Sequence, residues 1–257
     1  MTANNESDLK VKTSKTIFSI IELLHEKDGA TLTEISEETG MVKSTIHNHL
    51  STLQHMGYVV EEDGEYYPGL RFLQIGNYLR NRKDKYDLIR SKVDDLAADT
   101  GERAQFIISE NGLGTCLYTA SGSNAVRTEP SIGSQLYLHC SAAGKAILSG
   151  LTESEVDGVI DRWGLPEITE QTITNRDELD VELAEIRERG YSFNREENLV
   201  GLHAVGVPLV GSGETVIGGL SIMGPTHRLT AERFTEELPE VLLGTKNELE
   251  LNIEHMA

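Results

Sequence analysis

Between residues 14 and 27 the apolar positions Ile17, Ile21 and Leu24 fall at i, i+4 and i+7, the spacing that lines one face of a helix. Asp28-Gly29 closes that helix. A second, shorter helix is predicted over Thr33–Glu38, with Gly40 as its break, and a third over Val42–His55. Tyr58-Val59-Val60 and Tyr66-Tyr67 then flank Glu62-Asp63-Gly64, and an Asp-Gly between β-rich runs predicts a hairpin. Three helices followed by a hairpin is the layout of a winged helix-turn-helix.

The pattern changes after Gly76. The charged run Arg80-Asn81-Arg82-Lys83-Asp84-Lys85 reads as a linker, and Tyr86, Ile89, Val93 and Leu96 resume helical spacing, which predicts a linker helix joining two domains. Strands are predicted over Ala104–Ser109, Thr115–Thr119, His203–Val210 and Thr215–Met223. Helices are predicted over Ala142–Leu148, Glu153–Trp163 and Asp177–Arg189, with a last one from Ala231 to Ile253. Neighbouring strands with separate helices imply an α+β class. The chain therefore divides into a tail (1–12), a winged helix-turn-helix domain (13–76, the helix-turn-helix motif over 33–53) and a second domain (77–257) that begins with the linker helix.

Charge sharpens this picture. The net charge is −19, and Asp+Glu outnumber Lys+Arg both in residues 1–80 (twelve against seven) and in the remainder (thirty against sixteen). Such a composition resembles that of proteins from a salt-loaded, halophilic cytoplasm, where the Debye length falls to about 3 Å at 1 M salt and self-repulsion is screened. No run of 18 apolar residues occurs and the N-terminus has no charged-then-apolar leader, so a cytoplasmic protein without membrane contact is expected. Cys116 and Cys140 are too few for a disulfide framework and have no metal-ligand spacing; neither a cofactor nor a metal is expected.

One stretch escapes the acidity. No Asp or Glu occurs from Thr39 to Val60. At 100° per residue, Val42, Ile46, Leu50 and Leu53 cluster on one side of the third helix and predict its packed face. Opposite them lie Ser44, Asn48, Ser51 and His55, flanked by His47 and Thr52. An acid-free face of hydrogen-bonding side chains suits double-stranded DNA, because a carboxylate facing a phosphate costs affinity. Asn pairs with adenine edges, Ser and Thr are short hydrogen-bonders, and Lys43 reaches a phosphate. The expected DNA-binding residues are Thr33, Lys43, Ser44, Thr45, His47, Asn48 and Ser51. His49 lies nearer the packed face and is expected to pack.

The segments Thr33-Glu34-Ile35-Ser36, Gly40–His47, Leu50-Ser51-Thr52-Leu53 and Gly57-Tyr58-Val59 closely resemble the DNA-binding domain of the IclR family of transcription regulators. Tyr67-Pro68-Gly69-Leu70, with Leu73 and Gly76, resembles that family's strand and turn before its linker helix. His139–Leu148, Gly190-Tyr191, Glu197, Gly201, Val207-Pro208-Leu209 and Leu220–Pro225 resemble its effector-binding domain, which is similar to a GAF-like α/β fold. The resemblance spans residues 14–255. It implies a repressor or activator of a catabolic operon, acting as a homodimer or homotetramer on a pseudo-palindromic operator. It also implies a small-molecule effector, of which a sugar-derived acid is the first expectation. Two departures stand out: Asn48 occupies a position where a basic residue is usual, and the wing tip carries Glu61, Glu62, Asp63 and Glu65.

In the second domain, Ser141, Ala142, Ala143 and Gly144 are small enough to admit either a ligand or a tightly packed backbone, and a helix N-terminus suits an anion. The resemblance implies an effector pocket of Cys140, Ser141, Ala143, Gly144, Asn194, His203, Ala204 and Ser221, with Asn194 and Ala204 standing where Asp and Cys are frequent. The alternative is a metal- or thiol-based sensor in which His139, Cys140 and His203 converge. A thiol enzyme is disfavoured, since adjacent residues of an extended segment point to opposite sides and no oxyanion motif is visible. Gly144-Lys145 is not a phosphate loop, because residue 139 is His and Ala146 follows the lysine.

Overall fold

The computed structural model describes residues 11–125 and 131–256; the expected tail lies, as far as residue 10, outside the described residues. The chain forms two compact units that divide between Arg82 and Lys83.

In the first unit, α1 (Lys12–Glu26), α2 (Leu32–Thr39) and α3 (Lys43–His55) pack around Ile20, Leu24, Ile35, Ile46, Leu50 and Leu53. The start of α2 is specified locally. Thr31 caps the amide of Glu34 while the Glu34 carboxylate accepts from the Thr31 amide at 2.8 Å, a reciprocal capping box. Its end is equally local, with Gly40 left-handed at φ 67°. Three antiparallel strands follow the order β1 (Ala30–Thr31), β3 (Glu65–Pro68), β2 (Val59–Glu62). Asp63 and Gly64 both take positive φ at the hairpin tip, as an Asp-Gly turn requires.

A helix not foreseen in the sequence, α4 (Arg71–Asn81), runs through Gly76, where the first domain was expected to end. It buries none of its residues, although Phe72, Ile75 and Leu79 fall at i, i+3 and i+7; Gly76 and the charged run that follows read in the sequence as a domain end and a linker and masked that spacing. The expected linker helix is α5 (Lys85–Thr100), whose Tyr86, Ile89, Val93 and Leu96 are buried in the second unit.

The second unit is built on one antiparallel sheet in the order β6 (Gln135–Tyr137), β5 (Leu113–Ser121), β4 (Arg103–Glu110), β9 (Val216–Pro225), β8 (Leu202–Val210), β7 (Ser192–Arg195). Side chains alternate faces along each strand. Phe106, Tyr118, Val205, Val207, Leu220 and Ile222 turn to a core shared with α5 and with α9 (Leu238–His255). The other face carries α6 (Ala142–Ser149), with α7 (Glu153–Trp163) and α8 (Arg176–Arg189) packed beyond it. The expected α+β class is the observed one. The C-terminal helix, expected as one piece from Ala231, opens with a π-helical turn at Arg233–Glu237; Pro239, which has no N–H to donate, lies in the first turn of α9.

α6 sits unusually close to the sheet, and two glycines allow it. A Cβ on Gly206 would lie 2.6 Å from the Ala142 carbonyl carbon, and one on Gly219 would lie 2.4 Å from the Ala143 oxygen. Gly206→Ala is therefore expected to destabilise the second unit by about 1–3 kcal/mol, because rigid backbone has to move. Gly244→Ala, at an exposed position of α9 where a Cβ meets nothing within 4 Å, is the control and is expected to be neutral or to gain about 0.5–1 kcal/mol. Urea unfolding midpoints of the two variants check this; equal midpoints would mean that the close approach places no constraint on the fold.

Candidate functional site

α3 presents the polar face read from the sequence. Ile46, Leu50 and Leu53 are buried, whereas Lys43, Ser44, Thr45, His47, Asn48 and Ser51 are exposed and His49 is half-buried. Val42 departs from expectation. It lies outside the helix as its extended N-cap residue and is 66 % exposed, so it takes no part in the packed face. Lys43 Nζ donates to Thr33 Oγ1 at 2.8 Å, which joins the start of α2 to the start of α3. Thr52 spends its hydroxyl on the Asn48 carbonyl at 2.9 Å, while the Asn48 side chain stays on the exposed face. At the wing, Glu61 accepts from Gln54 and Glu65 from Tyr67; the tip otherwise presents carboxylates to solvent.

The expected effector residues do not form one cluster. His203 is removed from it by strand alternation: its ring stacks on Phe234 at 4.6 Å, on the face opposite to its neighbour Ala204. Gly144 turns away from any pocket, since a Cβ there would lie 2.2 Å from the Leu138 carbonyl oxygen. Its small size serves packing. Ser141 caps the Gly144 amide at 3.0 Å, and Ala143 packs with Ile107 and Ile147. Asn194 is consumed structurally, donating to the Cys140 carbonyl at 2.7 Å and accepting from the Glu197 amide at 3.1 Å. Cys140 is buried, with its thiol on the Tyr137 carbonyl at 3.4 Å.

Ala204 and Ser221 remain on the α6 side of the sheet. Ala204 packs with Ala142, Leu202 and Met223. Ser221 is paired across the strands with Gln105, and Ser221 Oγ and Gln105 Oε1 are both buried without a hydrogen-bond partner. Such atoms cost about 1–3 kcal/mol each unless something satisfies them. Gln105 was not foreseen, because a polar residue in an apolar strand reads from sequence as an ordinary outward position. Beside this row, at the end of the sheet, lies a groove of about 240 Å³ between the Leu199–Leu202 segment and β9, with Arg103 in its lining.

The same geometry does not bring together His139, Cys140 and His203, the residues of the alternative sensor. His139 gives its Nε2 to the Pro166 carbonyl at 3.1 Å, and burial holds its pKa below the ordinary imidazole range. His203 is across the sheet. Among the described residues no group of three or more His, Cys, Asp or Glu is placed to hold a metal.

Two family profiles match the chain: the IclR helix-turn-helix domain over residues 17–63, and the bacterial transcriptional regulator IclR C-terminal domain over residues 80–249. The chain belongs to the IclR family. The probable HTH-type transcriptional regulator ArcR of Halobacterium salinarum is 33% identical over 256 residues, covering 98% of this chain and 97% of that protein. The transcriptional repressor IclR of Escherichia coli is 29% identical, covering 84% and 81%. The crystal structure of the Thermotoga maritima IclR superposes with a TM-score of 0.79 at 28% identity, covering 94% and 98%. An IclR homologue of Microbacterium hydrocarbonoxydans, complexed with 4-hydroxybenzoate, has the same fold at 20% identity with a TM-score of 0.73, covering 88% and 91%.

This IclR-family protein is thus a DNA-binding transcription regulator controlled by an effector, and its relatives are regulators rather than enzymes. The salt-adapted composition agrees with the haloarchaeal relative. Among the described residues no helix is long and apolar enough to cross a membrane.

Burial pushes the Cys140 thiol up to about 12, and the nearby Glu197 carboxylate pushes in the same direction. At pH 8 a thiol with that pKa is ionised to only about one part in ten thousand, against about one in four at the ordinary value. Folded protein at pH 8 is expected to leave Cys140 unalkylated by iodoacetamide, with modification appearing on unfolding in urea. Peptide mass mapping checks this, and rapid modification of Cys140 in the folded state would restore the thiol-sensor reading.

Proposed function

We propose that this regulator reads a pseudo-palindromic operator as a homodimer, or as a pair of dimers, with the exposed face of α3 in the major groove, and that it controls a catabolic operon. One observation carries the reading: the face of Lys43, Ser44, Thr45, His47, Asn48 and Ser51 bears no carboxylate in a chain of net charge −19. The acidic wing tip makes a poor phosphate clamp, so α3 and the start of α2, tied together through Lys43 and Thr33, supply the main contacts.

α4 supports the dimer. Ile75, Tyr78 and Leu79, exposed to 41, 67 and 44 %, lie within about 100° of one another around it. An exposed apolar set of this kind on a surface helix is the mark of an interface. The effector is proposed to be a small anionic metabolite held on the α6 side of the sheet, where Ser221 and Gln105 keep unpaired polar atoms. Sugar-derived acids and aromatic acids, such as the 4-hydroxybenzoate held by the Microbacterium homologue, both belong to that class.

Ser44→Glu is expected to abolish operator binding in a mobility-shift assay at matched salt while the second unit unfolds at an unchanged midpoint. Normal binding by Ser44→Glu would remove α3 from the interface. Footprinting is expected to show an inverted repeat whose half-sites are one helical turn, or a multiple, apart. Full-affinity protection of a single half-site would exclude the two-fold arrangement.

A further inference from the structure

Most hydrogen-bonding side chains of α3 are committed within the protein or offer a single polar group. Lys43, at the start of the helix, donates its Nζ to Thr33 Oγ1 at 2.8 Å. Gln54 is half-buried, and its amide nitrogen donates to Glu61 on the wing at 3.3 Å. Thr52 turns its hydroxyl back on the helix, to the Asn48 carbonyl at 2.9 Å. Ser44, Thr45 and Ser51 are exposed with one hydroxyl each, and His47 is exposed with one ring edge. Asn48 differs from all of these. Its carboxamide holds a donor and an acceptor side by side, it is exposed, and Thr52 engages its backbone rather than its amide.

Its place on the helix suits the reading of bases. At 100° per residue, Asn48 lies within about 20° of the direction opposite the buried Ile46, Leu50 and Leu53. Ser44, one turn before it, and Ser51, one turn after it, stand within about 60° of it, so the longer amide projects between two short side chains. In the major groove each base pair shows its own pattern of donors and acceptors. Guanine presents two acceptors, O6 and N7, and an amide meets them with its nitrogen alone. Adenine presents the acceptor N7 beside the N6 amino donor, which matches the amide nitrogen and oxygen in one plane. A phosphate has acceptors alone and sets negative charge against the amide oxygen.

We propose that Asn48 is the specificity-determining residue of this regulator, and that its amide pairs with N6 and N7 of one adenine in each half-site. The operator is fixed most strongly at that A·T pair. Ser44 and Ser51, whose hydroxyls pair with donors and acceptors alike, tolerate changes at the neighbouring base pairs. Lys43 meets phosphate, which positions the helix without reading sequence. The inference rests on the reading of α3 as the major-groove helix and narrows it to one contact.

The test starts from random-sequence duplexes selected on the full chain at fixed salt. Selected half-sites are expected to share an adenine at one position, and a G·C pair there is expected to weaken wild-type binding by about 5- to 150-fold per half-site. Two base analogues at that position address single atoms: 7-deazaadenine lacks the N7 acceptor, and unsubstituted purine lacks the N6 amino group. Each is expected to weaken wild type by about five-fold or more. Asn48→Ala, an exposed change to the best helix former, is expected to bind the adenine, analogue and G·C duplexes alike. The analogues need no variant, so they decide the question if Asn48→Ala fails to fold. Half-sites without a shared adenine, or wild-type binding untouched by either analogue, overturn the proposal. An adenine preference that survives in Asn48→Ala also overturns it, and a uniform loss of affinity with that preference kept would mark a phosphate contact instead. These outcomes leave α3 in the major groove; that wider reading fails separately, if wild type enriches no duplex or if Ser44→Glu binds normally.

Discussion

The seating of the first turn of α6 on β8 and β9, backbone against backbone, is the constraint from which the second unit takes its form. Gly206 and Gly219 provide the room, and the contact is then locked by side chains that reach around it. Ser192 Oγ donates to the Ala142 carbonyl at 2.6 Å, and Asn194 donates to the Cys140 carbonyl at 2.7 Å. With the helix pinned, Lys145 is carried into the interior, where Glu197 and Glu182 neutralise it at 2.6 and 3.4 Å. A buried cation without such partners is untenable, so the segment bearing Glu197 is tied to α6 as well. That segment forms one wall of the terminal groove. A tight helix–sheet contact thus decides where the open space of the domain lies.

A second constraint is electrostatic. A protein of net charge −19 approaches a polyanion against long-range repulsion, and high salt shortens the range of that repulsion without reversing the sign of any close contact. The close contacts have to be clean on their own. The exposed face of α3 carries no carboxylate, and the acids of the first unit lie elsewhere, including on the wing tip. The capping box of α2, the left-handed Gly40 and the bond from Lys43 to Thr33 hold that face in place, so the helix proposed to meet DNA is positioned by local structure.

Buried charge is paired in the same deliberate way at the junction of α5 and β4. Glu102 is wholly buried and receives Arg228 at 2.7 Å and Arg233 at 3.1 Å, while Arg233 also donates to the Thr100 carbonyl at 2.6 Å. Gly224 stays a glycine beside it, since a Cβ there would lie 2.7 Å from the Glu102 carboxylate. The end of α5, the end of β9 and the π-helical turn before α9 are held together at this one acid.

Much of this was open to a reader of the sequence alone. The three helices and wing follow from local signals: apolar spacing in α1 and α3, Gly40, and Asp63-Gly64. The polar, acid-free face of α3 is a property of one helix and needs only its own periodicity. The strands β4, β5, β8 and β9 announced themselves as β-rich runs. Two short strands, β1 and β6, and the four-residue β7 did not: unlike β2 and β3, which flank an Asp-Gly turn, they have no adjacent hairpin signal and are defined by the neighbour each pairs with. α4 was hidden because Gly76 and the charged run after it read as a domain end and a linker. The effector site was least legible of all. Whether Gly144 serves packing or a ligand, whether His203 lies on the same side of the sheet as Ala204, and whether Arg103 and Gln105 belong to a site depend on which atoms from distant segments end up in contact. Local periodicity determines which face of an element is apolar; only the assembled sheet and the helix seated on it decide which polar side chains are spent on holding the fold and which are left to meet a ligand.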